Sequence, residues 1–316
     1  MGRILTISVV ALVIIAAVCA ESAPPPGAIE VLPTTPAPVA EEVAAFPVTV
    51  GGVTIPARPE RIVSLSATHT EMLYAVGAGP EVVATDLFSN FPPDAEQTEK
   101  VDSFNLSVEA VAALEPDLVI LAFDPGEVVA GLELLGIPAL LFDAAATLED
   151  AYIQMEEVGA ASGHAAEAAQ LVATLQREID AIVSQIQRPV PAFTYYHELD
   201  QTLFTATSST FIGELYGLLG MENVADPADE DGFGFPQLSA EFLIDADPDF
   251  VFLADTKCCG QTGETFAARP SFGVLSAVQN GRVIELDDDI ASRWGPRVGQ
   301  LLRMVAGAVY QLEAVG

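Results

Sequence analysis

Two segments of this chain repeat one pattern, and the repeat restricts the fold more than any other feature of the sequence. The first copy reads Leu-Ser-Val-Glu at residues 106–109 and Glu-Pro-Asp at 115–117, before an apolar run. The second copy reads Leu-Ser-Ala-Glu at 238–241 and Asp-Pro-Asp at 247–249, again before an apolar run. Each copy predicts a short helix that leads through a turn into a buried strand. The chain is therefore predicted to contain a duplicated lobe.

A long helix is predicted between the two copies. Ser162 is its expected N-cap, and Pro189 and Pro191 are expected to end it. The apolar side chains of residues 162–187 recur every three or four positions and form one stripe along the helix: Leu171, Leu175, Ile179, Ile182 and Ile186.

The remaining apolar runs indicate parallel sheets. They are continuous rather than alternating, which is typical of strands buried on both faces, and they alternate with helical segments. They lie at residues 61–65, 82–85, 118–122, 139–142, 193–196, 250–253 and 282–286. The predicted fold is α/β, with two parallel-sheet lobes from a duplicated unit (residues 48–161 and 189–316) bridged by one long rigid helix (162–188).

The N-terminal segment indicates export. Residues 4–18 are apolar, follow Arg3 and have the length of a signal sequence, which is short for a membrane span. Cys19 ends this run, as in a bacterial lipoprotein signal, so residues 1–19 are predicted to be a signal peptide and Cys19 a lipid anchor. Plain secretion and an uncleaved anchor are the alternatives. Residues 20–47 are rich in Pro and Ala and predict a tether, or otherwise a poorly ordered terminus.

The charge of the chain excludes several partners. Asp and Glu number 45 against 12 Lys and Arg, a net charge of −33, so binding to nucleic acid or to anionic lipid is unfavourable. Because 51% of the residues are hydrophobic, the acidity does not indicate disorder. The sequence contains neither a Gly-x-x-x-x-Gly-Lys phosphate loop nor a Gly-x-Ser-x-Gly nucleophile motif, and no enzymatic activity is predicted.

Several short motifs together resemble one family. They occur at residues 58–65, 70–72, 91–93, 109–119, 236–241 and 295–297. In order and spacing they are similar to the substrate-binding subunits of ABC importers of the helical-backbone type. This group contains periplasmic cobalamin-, ferric-siderophore- and haem-binding proteins, and its cobalamin-binding members align best.

The resemblance implies a function. It implies an extracytoplasmic, monomeric protein that captures a bulky metal chelate or corrinoid between its lobes. It then delivers this ligand to an ABC permease dimer whose ATPase is a separate chain. Cobalt or iron would belong to the transported ligand, so no cofactor is expected, and the lipid anchor would be the one contact with the membrane.

Five phenylalanines match positions where the cobalamin binders place aromatic side chains against their ligand. They are Phe88, Phe104, Phe123, Phe204 and Phe235. Rigid apolar rings suit a large flat ligand, whereas a single Phe is more often part of a core. All five are Phe, whereas the family also uses Tyr and Trp at these positions. Because Phe lacks their polar group, this difference weakens the prediction that the ligand is cobalamin itself.

Four polar or amphipathic residues complete the predicted ligand site. Trp294 and Arg293, with Arg297 nearby, would face an anionic group of the ligand; the alternative is a salt bridge and packing within the lobe. His69 and Tyr196 would line the cleft or ligate iron. His197 is a further candidate ligand; no resident metal site is predicted.

Two acids and two cysteines carry separate predictions. Glu109 and Glu241 occupy equivalent places in the two copies, and the resemblance implies that they dock onto arginines of the permease; stabilisation of the helix N-termini is the alternative. The neighbouring Cys258 and Cys259 allow a vicinal disulfide, two free thiols or a thiolate metal site.

Two other functions fit parts of the sequence. A tethered sensor or redox protein would use Cys258, Cys259 and His197. A haem- or divalent-metal-binding importer component would use the same fold with different ligands.

Overall fold

The computed structural model describes residues 46–311. The predicted signal peptide with Cys19 and most of the predicted tether lie outside the described residues. The strands are β1 (Val48–Val50), β2 (Val53–Ile55), β3 (Ile62–Leu65), β4 (Val82–Asp86), β5 (Glu99–Val101), β6 (Leu118–Leu121), β7 (Ala139–Leu141), β8 (Thr194–Glu198), β9 (Glu222–Asn223), β10 (Phe250–Leu253) and β11 (Val283–Glu285).

Helices connect most of these strands. They are α1 (Ala67–Ala75), α2 (Val108–Ala112), α3 (Val128–Leu134), α4 (Leu148–Ser162), α5 (Ala165–Ser184), α6 (Phe211–Leu218), α7 (Ala240–Ala246), α8 (Thr256–Cys259), α9 (Gly263–Ala267), α10 (Ser276–Gln279), α11 (Asp288–Ala291) and α12 (Val298–Tyr310). Within residues 46–311, no helix combines the length and the apolar content needed to cross a membrane.

The first lobe contains a five-stranded parallel sheet in the order β5-β4-β3-β6-β7. All residues of β3 and β6 are buried because helices cover both faces of the sheet. The chain builds the sheet outward from β3 in one direction and then from β6 in the other. The boundary between these two central strands is therefore a topological switch point.

The second lobe contains a four-stranded parallel sheet in the order β11-β10-β8-β9. Its switch point lies between β8 and β10, whose residues pair from Tyr195 with Phe250 to Glu198 with Leu253. Both sheets are parallel with continuous buried runs, which confirms the predicted α/β class.

The repeated motif has the same structural role in each lobe. Ser107 and Ser239 cap α2 and α7 by accepting hydrogen bonds from the backbone amides of Ala110 and Phe242, each at 3.1 Å. The final aspartate of each motif then holds the start of the neighbouring central strand. Asp117 accepts from the backbone amide of Arg61 before β3, and Asp249 accepts from that of Thr194 in β8. The motif thus joins a helix to the strand beside its own.

The connecting helix differs from the prediction at its start. Residues 148–162 already form α4, so Ser162 is the last residue of a helix and not an N-cap; its Oγ donates to the carbonyl of Val158. Gly163 follows with φ +83°, a left-handed conformation that ends α4. The 20 residues of α5 then extend about 30 Å. This helix packs against both α4 and α12.

Candidate ligand-binding cleft

The carboxyl ends of the central strands define where a ligand would bind. In open parallel sheets, ligands bind beyond the carboxyl ends of the strands, next to the switch point. In the first lobe these ends lead to residues 66 and 122, after β3 and β6. In the second lobe they lead to residues 199 and 254, after β8 and β10.

Three exposed phenylalanines follow strands of the first sheet. Phe88, Phe104 and Phe123 come after β4, β5 and β6, and each exposes 54–63% of its surface. Their rings contact one another, with centroids 5.8 Å apart for Phe88 and Phe104 and 6.3 Å for Phe104 and Phe123. Three aromatic side chains that share one sheet edge form an apolar surface, which is typical of a binding site.

A second aromatic group lies in the second lobe. Phe204 pairs with Gln237 in an isolated bridge, which brings Phe204 close to the loop that carries Phe235. Each of the two phenylalanines exposes 39% of its surface. The sequence prediction missed Phe233, which is 77% exposed and lies 5.9 Å from Phe235 between ring centroids. The Gly-Phe-Gly-Phe run at 232–235 was the signal that could have identified it.

The structure corrects the prediction for His69. This side chain is fully buried, with Nδ1 2.8 Å from Ser66 Oγ and Nε2 3.2 Å from Gln154 Oε1. Its ring stacks on Phe142, with centroids 4.8 Å apart. Burial lowers the pKa of His69 to about 4, so it is neutral and belongs to the core rather than to the ligand surface.

Tyr196 and His197 are also buried, which corrects the expectation that Tyr196 lines the cleft. The hydroxyl of Tyr196 donates to Glu198, and burial raises its pKa. His197 has Nδ1 2.9 Å from the hydroxyl of Tyr216, and burial lowers its pKa to about 4. Both side chains belong to the inner strand β8, so neither is available to a ligand in the described conformation.

Arg293, Arg297 and Trp294 make contacts within the protein, which was the alternative interpretation of these residues. Arg293 donates to Glu71 at 2.7 Å, and Arg297 donates to the same carboxylate at 2.8 Å. Glu71 is almost fully buried, and an unpaired carboxylate there would be strongly unfavourable. The two guanidinium groups together compensate its single negative charge. The indole Nε1 of Trp294 donates to Gln154 at 2.8 Å. In the described structure Arg293 and Trp294 thus bind groups of the protein, and their contact with a ligand stays a prediction.

These contacts connect the two lobes, because Glu71 and Gln154 belong to α1 and α4 of the first lobe. Arg293 also donates to the carbonyl oxygen of Phe88, at 3.0 Å. Asp289 accepts from Asn90 at 2.9 Å. Residues 288–297, named here the junction, therefore join the second lobe to the first through hydrogen bonds and ion pairs.

The two cysteines lie beside the junction. The structure has Cys258 and Cys259 as exposed free thiols at the end of α8, with their Sγ atoms 2.7 Å apart. Asp288 accepts hydrogen bonds from three successive backbone amides, those of residues 256–258, and fixes the start of α8. A disulfide between the two cysteines stays a prediction. In the described part of the chain, no three His, Cys, Asp or Glu side chains are grouped to hold a metal ion.

Glu109 and Glu241 occupy equivalent exposed positions, two residues after the capping serines of α2 and α7. The structure describes no salt bridge for either among residues 46–311. Their carboxylates are therefore available to a partner.

A buried acidic pair lies at the second switch point. Arg269 donates to both oxygens of the Glu198 carboxylate, at 2.6 and 2.8 Å. Asp255, directly after β10, is fully buried beside them, and both of its carboxylate oxygens lack a hydrogen-bond partner among the described residues. Burial, followed by the charge of Glu198, raises the pKa of Asp255 to about 7. Sequence analysis did not identify this pair.

Comparison with known proteins identifies the family to which this architecture belongs. The family model described as periplasmic binding protein matches residues 62–290. The chain belongs to the periplasmic binding protein family. It is 28% identical to an uncharacterised ABC transporter substrate-binding lipoprotein of Bacillus subtilis, over 84% of this chain and 86% of that protein.

Solved structures of this family have the same fold. A periplasmic vitamin B12-binding protein of Vibrio cholerae superposes with a TM-score of 0.66 at 25% identity, covering 81% of this chain and 98% of that one. A periplasmic heme-binding protein of Roseiflexus superposes with a TM-score of 0.70 at 27% identity, covering 80% and 98%.

Proposed function

We propose that this protein is the extracytoplasmic solute-binding component of an ABC importer and that it captures a bulky metal chelate or corrinoid. The observation that carries the proposal is the pair of exposed phenylalanine groups, one at the ligand-binding edge of each parallel sheet. Exposed aromatic rings are costly in water, and contact with a large apolar ligand face offsets that cost. Cobalt or iron would be part of the ligand, which the protein binds without chemical change.

Delivery to the permease would depend on Glu109 and Glu241. One carboxylate projects from each lobe, at the same place in each copy of the repeated motif. A permease dimer presents the same surface twice, so one acid would pair with arginines of each subunit. Lipidation of Cys19 would keep the protein close to this partner at the outer face of the membrane, with residues 20–47 as the tether.

Ligand binding can be tested by titrating the purified protein with cyanocobalamin and with ferrichrome, followed by calorimetry. Phe104→Ala combined with Phe204→Ala should weaken binding at least tenfold, because each substitution removes a large apolar contact. Leu134→Ala is the matched control. Leu134 is 88% exposed and is the last residue of α3, which ends near the amino ends of the strands, at the opposite edge of the sheet from the proposed site. Equal affinity in all three proteins would contradict the proposed site.

Docking requires a separate experiment with the permease and its ATPase in vesicles. Glu109→Ala with Glu241→Ala should abolish stimulation of the ATPase and leave ligand affinity unchanged. Glu133→Ala with Asp245→Ala is the control, because both acids are exposed and lie outside the capped helix starts. Normal stimulation by the first variant would show that the two acids act only on their own helices.

A further inference from the structure

Every cationic side chain near the ligand-binding edges already forms ion pairs or hydrogen bonds with other groups of the protein. Arg293 and Arg297 are held by Glu71, as described above. Lys257 contacts two carboxylates, Asp287 at 2.7 Å and Asp289 at 3.0 Å. Two further cations, Lys100 and Arg269, have partners inside their own lobes. Around the junction, the three cations Lys257, Arg293 and Arg297 are outnumbered by four carboxylates. These belong to Glu71, Asp287, Asp288 and Asp289, so the region carries no excess positive charge that could bind an anion.

The remaining two cations at these edges bind internal groups. The ammonium of Lys100 donates to Thr85 and to the carbonyl oxygens of Ser89 and Ala95, at 2.6–2.9 Å. The guanidinium of Arg269 is shared by Glu198 and Gln261. Neither side chain can turn to a ligand without leaving these acceptors unsatisfied.

Most other cations of residues 46–311 lie elsewhere. Arg61 and Arg282 directly precede β3 and β11, so they lie at the amino ends of the strands, opposite the ligand edge. Arg177 and Arg303 lie on α5 and α12. Arg58 and Arg188 are engaged too, by Glu81 and by the carbonyl oxygen of Leu218.

Carboxylates accompany the exposed phenylalanines instead. Glu230 and Asp231 are exposed three and two residues before Phe233, and neither accepts a hydrogen bond from the described residues. In the first lobe, Asp102 lies two residues before Phe104 and caps the turn that carries it. An anion placed on these rings would meet negative potential and would lose its hydration without gaining a cationic partner.

We propose that the cleft selects ligands by charge, so that a cationic chelate or corrinoid binds best, a neutral one binds less tightly, and an anionic one binds least tightly. This inference rests on the proposed function. Recruitment of Arg293 or Arg297 by an anion would require Glu71 to lose its partners while it stays buried, which is strongly unfavourable. The negative protein surface would also increase the association rate of a cation at low ionic strength.

The test compares corrinoids of nearly equal shape and different charge. Aquacobalamin is cationic, cyanocobalamin is neutral, and a monocarboxylic acid of cyanocobalamin is anionic. Each step toward negative charge should weaken binding about two- to fivefold in 10 mM salt, and the differences should shrink in 500 mM salt. Cationic ferrioxamine B and anionic ferric enterobactin provide the same comparison for ferric chelates.

A variant identifies the residues responsible. Glu230→Gln with Asp231→Asn should reduce the preference for aquacobalamin about two- to fivefold, while Glu133→Gln with Asp245→Asn, at the opposite edges, should leave it unchanged. Equal or tighter binding of the anionic probes would overturn the charge selection and leave the proposed function intact. If none of the five probes binds, the proposed function fails and the inference fails with it.

Discussion

Asp255 offers the sharpest test of the electrostatics in the second lobe. Its carboxyl group is fully buried, and the nearby Arg269 is already bound in bidentate fashion to Glu198. Burial and the charge of Glu198 raise the pKa of Asp255 from 3.8 to about 7. Burial also raises the pKa of Glu198, and Tyr196 stays neutral at this site because burial raises its pKa well above the usual value. The single arginine thus compensates one carboxylate, and the second is most stable when protonated.

The expected effect on stability follows from the direction of this shift. Because the pKa is raised in the folded state, the contribution of Asp255 to stability is fully present below pH 3.8 and is lost as the pH rises through about 7. A rise from 3.8 to about 7 corresponds to about 4 kcal/mol at 1.36 kcal/mol per pH unit. Asp255→Asn keeps the shape of the side chain and removes the titration.

The free energy of unfolding should be measured by guanidinium chloride denaturation of both proteins at pH 4, 5, 6, 7 and 8. The advantage of Asp255→Asn over the unmodified protein should grow by about 4 kcal/mol between pH 4 and pH 8. Asp245→Asn is the control, because Asp245 is exposed, and its difference should be the same at every pH. A difference for Asp255→Asn that does not depend on pH would refute the reasoning.

Three other substitutions or modifications have defined outcomes. Glu71→Ala removes the carboxylate shared by two junction arginines and should cost about 3–5 kcal/mol in denaturant unfolding; a loss below 1 kcal/mol would contradict a buried ion pair. Gly159→Ala places a Cβ in steric conflict with that of Ala168 and should cost about 1–3 kcal/mol, part of which Ala168→Gly should recover in thermal unfolding. Desolvation and the adjacent Cys259 thiol raise the pKa of Cys258, so iodoacetamide at pH 8 should modify it more slowly than an ordinary exposed thiol; rapid labelling in site-resolved mass spectrometry under reducing conditions would disprove this.

Local sequence patterns predicted the lobes well because their causes are local. Continuous apolar runs define the parallel strands, and the Leu-Ser-x-Glu motif marks α2 and α7 through a serine that bonds an amide three residues later. The helix α4 was missed although its pattern was present: Leu148, Tyr152 and Met155 are buried at helical spacing. Beyond Met155 the buried face of α4 consists largely of small residues, Gly159, Ala161 and Ser162, which made the apolar stripe weak.

The site was predicted less completely because its polar contacts are distant in sequence. The phenylalanine positions followed strand ends, so their exposure could be predicted from the order of elements. His69 and Arg293 have polar partners such as Gln154 and Glu71, which no local pattern connects to them. The environment into which the Tyr196 side chain points depends on how β8 pairs with β10 in the folded sheet. Such pairings become visible only after the chain has folded.

The ion pairs of Glu71 also affect when the first lobe can fold. Its partners Arg293 and Arg297 follow it by 222 and 226 residues, so α1 is synthesised long before the groups that neutralise this carboxylate. A growing chain that ends before residue 293 cannot bury Glu71 without a large electrostatic cost. The native contacts of the first lobe therefore include groups from the end of the chain, and this lobe cannot complete them before residues 293–297 are present.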